Sequence, residues 1–207
     1  MWTWNDVGIV LSSKNHGEKY KIIDVFTKRH GKFAALYQAS KVSSFSIFSK
    51  VDIDYLSRNE TSLGFWKLKN EKQNWIYLLN SGSHLLVCQG ICFLLNKALP
   101  HALPHKNLFN FAEYIADNIQ KFSEREVLSL YAYFEFVLLE NAGFGLDLGE
   151  QNTDVSELWK LWKRHEFTCD ASRGDIKNSL ENTGNAIERN ISHLANNHFR
   201  MAICRLV

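Results

Sequence analysis

The 207-residue chain has only two prolines and four cysteines, and no long apolar run. The cysteines Cys88, Cys92, Cys169 and Cys204 lack the spacing of a disulfide framework, and a cytosolic chain of this size needs none. The longest apolar stretches, such as Ile91–Leu95, are far too short to span a bilayer. Met1-Trp2-Thr3-Trp4-Asn5-Asp6 has no basic segment leading into an apolar one, so no signal peptide is expected. The expectation is a soluble cytoplasmic protein without a membrane partner. There is no glycine-rich phosphate loop, no H-E-x-x-H and no G-x-S-x-G. The eight histidines are scattered. Triads assemble in space, but nothing local favours a nucleophile or a carboxylate pair over ordinary surface residues. The expectation is a protein that is not an enzyme and needs no cofactor.

Apolar residues make up 45% of the chain and charged ones 22%. That suffices for a real core and fits neither disorder nor a fibrous class. The net charge of +2 hides an asymmetry: residues 1–80 carry 12 Lys+Arg against 7 Asp+Glu, residues 81–207 carry 12 against 15. A basic front half suggests a polyanion docking at one end, although lysine-rich strands can simply be solvated.

Residues 1–80 read as β-structure. Val51-Asp52-Ile53-Asp54-Tyr55 alternates strictly. Val7–Leu11, Tyr20–Thr27 and Lys32–Tyr37 are strand-like runs separated by Asn15-His16-Gly17 and His30-Gly31 turns. Further strands are expected near Ser62–Lys69 and Trp75–Leu79. About five short strands without a long helix predict a small barrel, closed or nearly so.

After residue 80 the period becomes helical. Leu85, Cys88, Cys92, Leu95 and Leu99 share one face of a helix that must end before Pro100, and Pro104 marks a second break. A helix is expected from Leu108 to Lys121. Ser123-Glu124-Arg125-Glu126 is a capping box opening a helix that buries Val127, Leu130, Tyr131, Phe134 and Leu138 and ends at Gly143. Asp154–Glu157 repeats the capping logic for a helix through Trp159 and Trp162. The polar stretch Asp170–Asn182 reads as loop, and Ile187, Ile191 and Leu194 as a closing helix. The fold class is therefore α+β: a barrel over residues 1–80, then a helical domain over 81–207, joined near Asn80-Ser81-Gly82.

His84, Cys88 and Cys92 could present three ligands along one helical face, a set that suits zinc. Ligands spread over two turns meet one ion poorly, and buried free cysteine packs as a small hydrophobe, so core packing is favoured and no metal is expected.

The strongest functional pattern is basic and aromatic interleaving. In Phe65-Trp66-Lys67-Leu68-Lys69, strand periodicity puts Phe65, Lys67 and Lys69 on one face and Trp66 and Leu68 on the other. Bases can stack on such a ring while phosphates meet the ammonium groups. Lys14, His16, Lys19, Lys21, Lys28, Arg29, His30 and Lys32 surround the first two turns. Loops of a barrel can converge on one rim, so these charges are candidates for one DNA-binding patch.

Trp4-Asn5-Asp6-Val7-Gly8-Ile9-Val10-Leu11, then His16-Gly17-Glu18, Val25-Phe26-Thr27 and His30-Gly31-Lys32, resembles the opening of the RecO family. Phe134 through Leu148 is similar to that family's F-E-L-x-L-L-x-x-L-G-F-G-L-D-L run. The resemblance covers most of residues 4–148. The resemblance implies an OB-fold barrel followed by a helical domain. It implies a non-catalytic mediator of DNA repair and recombination that binds single-stranded DNA and anneals complementary strands. With RecR it would help load RecA onto DNA coated by single-strand binding protein. The alternative is a generic OB-fold nucleic-acid-binding module, RNA included among its ligands, without the mediator partners; a scaffold binding only proteins and a hydrolase are more remote.

Three departures from the family pattern matter. Many members hold zinc through paired C-x-x-C knuckles, whereas residues 149–174 offer only Cys169, in a region that looks shortened. The segment after the third strand, often rich in glycine and arginine, reads Gln38-Ala39-Ser40-Lys41-Val42-Ser43-Ser44, leaving Lys41 as its one candidate DNA contact. Where relatives often place an arginine before the F-E-L run to receive the acidic tail of single-strand binding protein, this chain has Tyr133, with Lys121 and Arg125 as the substitute candidates.

Overall fold

Strict alternation of inward and outward side chains organises the first part of the chain. A computed structural model describes residues 1–38, 45–59, 61–72, 78, 80–144, 171–191 and 198–207. Five strands form: β1 Trp2–His16, β2 Tyr20–Thr27, β3 Gly31–Gln38, β4 Lys50–Ser57 and β5 Gly64–Lys72. They close a barrel in the order β1-β2-β3-β5-β4. Every pairing is antiparallel except a short parallel contact of β3 with β5 through Ala35–Gly64 and Leu36–Phe65. This is the expected OB-type barrel. β1 is longer than the expected Val7–Leu11 because it serves two neighbours, β4 with its first half and β2 with its second. A register shift between Val10 and Ser12 marks the bulge between those halves. Of the strand expected at Trp75–Leu79, all but Leu78 lies outside the described residues, and Leu78 is helical rather than extended.

Inward residues of the strands form the barrel core: Val10, Ile23, Val25, Phe33, Ala35, Val51, Ile53, Tyr55, Trp66 and Leu68. The Trp66 indole N–H donates to the Ile23 carbonyl at 2.9 Å, which satisfies its polar atom inside the core. Gly8 permits this packing, since a Cβ there would stand 2.5 Å from the Ile53 and Val25 side chains. Gly31 (φ 81°) turns β2 into β3 in a backbone region that other residues avoid, and a Cβ there would collide with the backbone of Leu103.

The helices described in full are α1 Gly82–Ala98, α2 Lys106–Asn118, a short 3₁₀ turn Ile119–Lys121, α3 Glu124–Asn141, α4 Arg173–Asn190 and α5 His198–Cys204. α1 stops before Pro100, which cannot donate the next backbone hydrogen bond. At the start of α3, Ser123 Oγ accepts from Glu126 N at 3.3 Å and Glu126 Oε2 accepts from Ser123 N at 2.6 Å. α4 corrects the reading of Asp170–Asn182 as loop. Ser172 and Asp175 form a second reciprocal capping box, and Ile176, Leu180, Thr183 and Ile187 make a buried stripe beneath a polar surface. Ile191 caps that helix, and the last described helix is α5; Leu194, Trp159 and Trp162 lie outside the described residues. No helix among the described residues is long and apolar enough to cross a membrane.

Two compact units result. The first comprises Met1–Asn80 and Cys92–Asn118; the second comprises Ser81–Ile91 and Ile119–Val207. The change of period at residue 80 thus differs from the change of packing, because the second half of α1 and all of α2 pack with the barrel. Within that first unit Phe26 meets Phe109 edge-on at 5.4 Å, and Lys50 Nζ lies 3.1 Å from Glu113 and 3.3 Å from Asp117. Within the second unit α3 packs on α4, and the fully buried Glu135 of α3 receives Thr183 Oγ1 at 2.6 Å and Arg200 Nε at 3.0 Å.

Candidate nucleic-acid interface

The β1–β2 hairpin projects a cationic tip. Its register pairs Lys14 with Ile22, Asn15 with Lys21 and His16 with Tyr20, around Gly17 at φ 68°. Directly paired residues share a face of the ribbon. Lys14, His16 and Tyr20 therefore lie on the outward face, Lys21 lies on the opposite one, and Lys19 sits in the turn. Lys14, Lys19 and Lys21 make no ion pair among the described residues. Glu18 is the single carboxylate of the turn.

Beside this tip stands Phe65, 46% exposed, with its ring 6.2 Å from that of Tyr20 in an edge-to-face arrangement. Sequence reading singles out Phe65 but not Tyr20, whose place beside it depends on barrel closure and not on spacing along the chain. On β5 the alternation holds as expected: Phe65, Lys67 and Lys69 are exposed, Trp66 and Leu68 buried. The neighbours on β4 divide this row. Lys67 is paired with Asp54 and Lys69 with Asp52, whereas Phe65 is paired with Leu56. Carboxylates directly opposite weaken the field that the two lysines offer a phosphate.

The cations of the β2–β3 turn are engaged within the protein. Lys28 Nζ pairs with Glu113 at 3.1 Å. The buried Asp6 accepts from the Arg29 backbone N–H at 2.8 Å and from Arg29 Nε at 3.3 Å, and it lies 2.9 Å from His30 Nδ1. The Arg29 guanidinium also donates to the Asn5 carbonyl and side chain. Burial alone would raise the Asp6 carboxyl, but hydrogen bonds from His30, Arg29 and the Val7 N–H hold it below its ordinary value. His30 also stacks on Trp4 at 4.0 Å. Lys32 donates to the Asn96 carbonyl, and burial depresses its ammonium. Lys28, Arg29 and Lys32 are thus poorer phosphate ligands than their sequence pattern suggests. Lys41 lies outside the described residues.

In the second unit Lys121 and Arg125 are exposed. Tyr133 is only 5% exposed and stacks with Phe136 at 6.4 Å, so it does not offer a surface to a peptide tail. The three residues weighed as metal ligands have other surroundings. His84 contacts Ser81 Oγ at 2.6 Å and the Phe122 carbonyl at 2.9 Å, and Cys88 is buried. The Cys92 thiol faces the Val10 carbonyl at 3.6 Å and is pushed up to about 12 by burial. Among the described residues no His, Cys, Asp or Glu group is arranged to hold a metal ion. Cys169 lies outside them.

Residues 1–68 match the family model described as Recombination protein O N terminal. Three curated relatives carry the name DNA repair protein RecO. The protein of Wolbachia sp. subsp. Drosophila simulans (strain wRi) is 28% identical over 149 residues, 71% of this chain and 62% of that protein. That of Ruegeria sp. (strain TM1040) is 30% identical over 70% of this chain and 61% of its own length. That of Chelativorans sp. (strain BNC1) is 31% identical over 70% and 59%. The chain thus spans less than two thirds of the relatives it matches.

Proposed function

We propose, from the premise that this chain belongs to the RecO family, that it is a cytoplasmic, non-enzymatic mediator of DNA repair and recombination. It binds single-stranded DNA on the barrel and anneals complementary strands. With RecR it assists RecA loading onto DNA coated by single-strand binding protein. The observation that carries the DNA-binding part is the hairpin tip: Lys14, Lys19 and Lys21 free of internal ion pairs among the described residues, with an exposed Tyr20–Phe65 pair on the face that Lys14 shares. Lysines neutralise phosphates and release counterions, while aromatic rings accept any base, which is what a sequence-tolerant single-strand binder requires. Annealing adds only that two strands be neutralised and held close, since base pairing supplies the driving force.

The generic OB-fold module remains the second reading. Burial of Tyr133 favours it for the partner contacts, leaving Lys121 and Arg125 as the exposed candidates for an acidic tail.

The test is annealing of two complementary fluorescent oligonucleotides at low and moderate salt, without added metal or nucleotide. The mediator reading expects pairing faster than the protein-free rate. Strand binding without acceleration would leave the generic module, and no strand binding would remove both.

A further inference from the structure

Among the described residues of the barrel unit, two surface grooves differ in charge. One, of about 400 Å³, is lined by Asp6, Asp52 and Asp54 as well as Lys28, Arg29 and Lys69. Its three carboxylates match its three cations, and Lys28 and Arg29 already have internal partners, so the groove offers a phosphodiester no net positive charge. The other, of about 630 Å³, is lined by Leu56, Arg58, Leu63 and Phe65, together with Met1, Ser57 and Ser62. Among the described residues no carboxylate lines it, and Arg58 is exposed without an ion pair.

The walls of this second groove have a reason to be apolar. Leu56 and Phe65 are directly paired on the outward face of β4 and β5, where the next two rungs carry Asp–Lys pairs instead. Leu56, Leu63 and Phe65 are 38%, 49% and 46% exposed, three large apolar side chains at one end of a sheet whose core is already complete. Beside it Asn59 Oδ1 accepts from Ser62 N at 2.8 Å and from Thr61 N at 3.2 Å.

We propose that this groove is a base-binding subsite, taking an unstacked nucleobase of a single strand between Phe65, Leu56 and Leu63, with Arg58 on the adjoining phosphate. The proposal rests on the single-strand reading of the barrel and extends it. Phe65 belongs both to the groove and to the Tyr20 pair, so a strand crossing the hairpin lysines reaches the groove without leaving the surface. Sequence reading does not single out Leu56, Arg58 or Leu63, because their convergence depends on the β4–β5 register.

The experiment compares the full chain's affinity for a single-stranded thymidine oligonucleotide and for an abasic deoxyribose-phosphate strand of equal length. Wild type should prefer the strand with bases. A Leu56→Ser, Leu63→Ser double variant should lose about tenfold in affinity for it, keep its affinity for the abasic strand and keep its salt slope. Arg58→Gln, an exposed change that removes no apolar contact, should lower the salt slope by about 0.7 on both strands. An unchanged preference in the double variant, or a wild type blind to the presence of bases, overturns the subsite while leaving strand binding intact. A wild type that binds neither strand overturns both readings.

Discussion

The cations of the β1–β2 hairpin and those of the β2–β3 turn look alike in sequence and behave differently in the fold. Lys14, Lys19 and Lys21 have no carboxylate partner among the described residues, whereas Lys28, Arg29 and Lys32 meet Glu113, Asp6 and the Asn96 carbonyl. Arg200, in the helical unit, is the limiting case: its side chain is 17% exposed and it serves the fully buried Glu135. The field available to a ligand is set by the cations left over after internal pairing, not by the number of lysines and arginines. Mutating each class separates folding from binding.

Arg200→Ala should have the largest effect on stability. Glu135 is held with a raised carboxyl because burial outweighs the help of Arg200 and Thr183. Removing the guanidinium leaves that group without its cation, at a cost of about 3–5 kcal/mol. Gly184 leaves the space that the guanidinium occupies, and alanine at 200 would leave it empty. Denaturant unfolding followed by circular dichroism should show the loss in the helical unit, with the salt dependence of strand binding unchanged. A loss below about 1 kcal/mol, the range of exposed pairs, would mean that Arg200 is not engaged in this way.

Much of the fold is legible in the sequence, and the rest has a physical cause for being hidden. Strands have a period of two, so the outward row of Phe65, Lys67 and Lys69 is visible before any fold is known. So is the Ser123 capping box, since its partners are three residues apart. Pairings such as Lys28 with Glu113 join residues far apart in the chain, and no local pattern reports them. α4 escapes a reading by periodicity because Asn178, Asn182 and Asn185 dilute its stripe of Ile176, Leu180 and Ile187, although Ser172 and Asp175 already mark its start. Tyr133 shows the same limit: substitution of a basic position can be read from the chain, but burial of the new side chain cannot.

Next in size is the hairpin. Changing Lys14, Lys19 and Lys21 together to Gln should lower the log–log salt slope of single-strand binding by about 2, each phosphate contact contributing about 0.7. Thermal stability should stay within about 0.5 kcal/mol of wild type, since no partner among the described residues loses its cation. The matched change of Lys28 and Lys32 to Gln should reverse the pattern, with a loss of stability and little change in slope. Equal slopes for the two variants would erase the distinction between the regions.

The smallest effect sharpens the same contrast through pH. Asp6 is held below the ordinary aspartate value of 3.8, because the hydrogen bonds of His30, Arg29 and Val7 overcome burial. A carboxyl depressed in the folded state contributes stability that is fully present above the unfolded value and is lost as pH falls through the folded one. Wild-type stability should therefore fall as pH drops below about 4. Asp6→Asn should be less stable by about 1–3 kcal/mol at neutral pH, since Arg29 and His30 lose an ionised acceptor. It should also have a flatter acid limb, because the titrating group is gone. Strand affinity at neutral pH decides how Arg29 is used. If Arg29 only anchors the turn, the Asp6→Asn variant binds single strands as wild type does. If affinity rises when Asp6 no longer holds Arg29, the guanidinium is available to phosphate, and the turn joins the hairpin as part of the DNA surface.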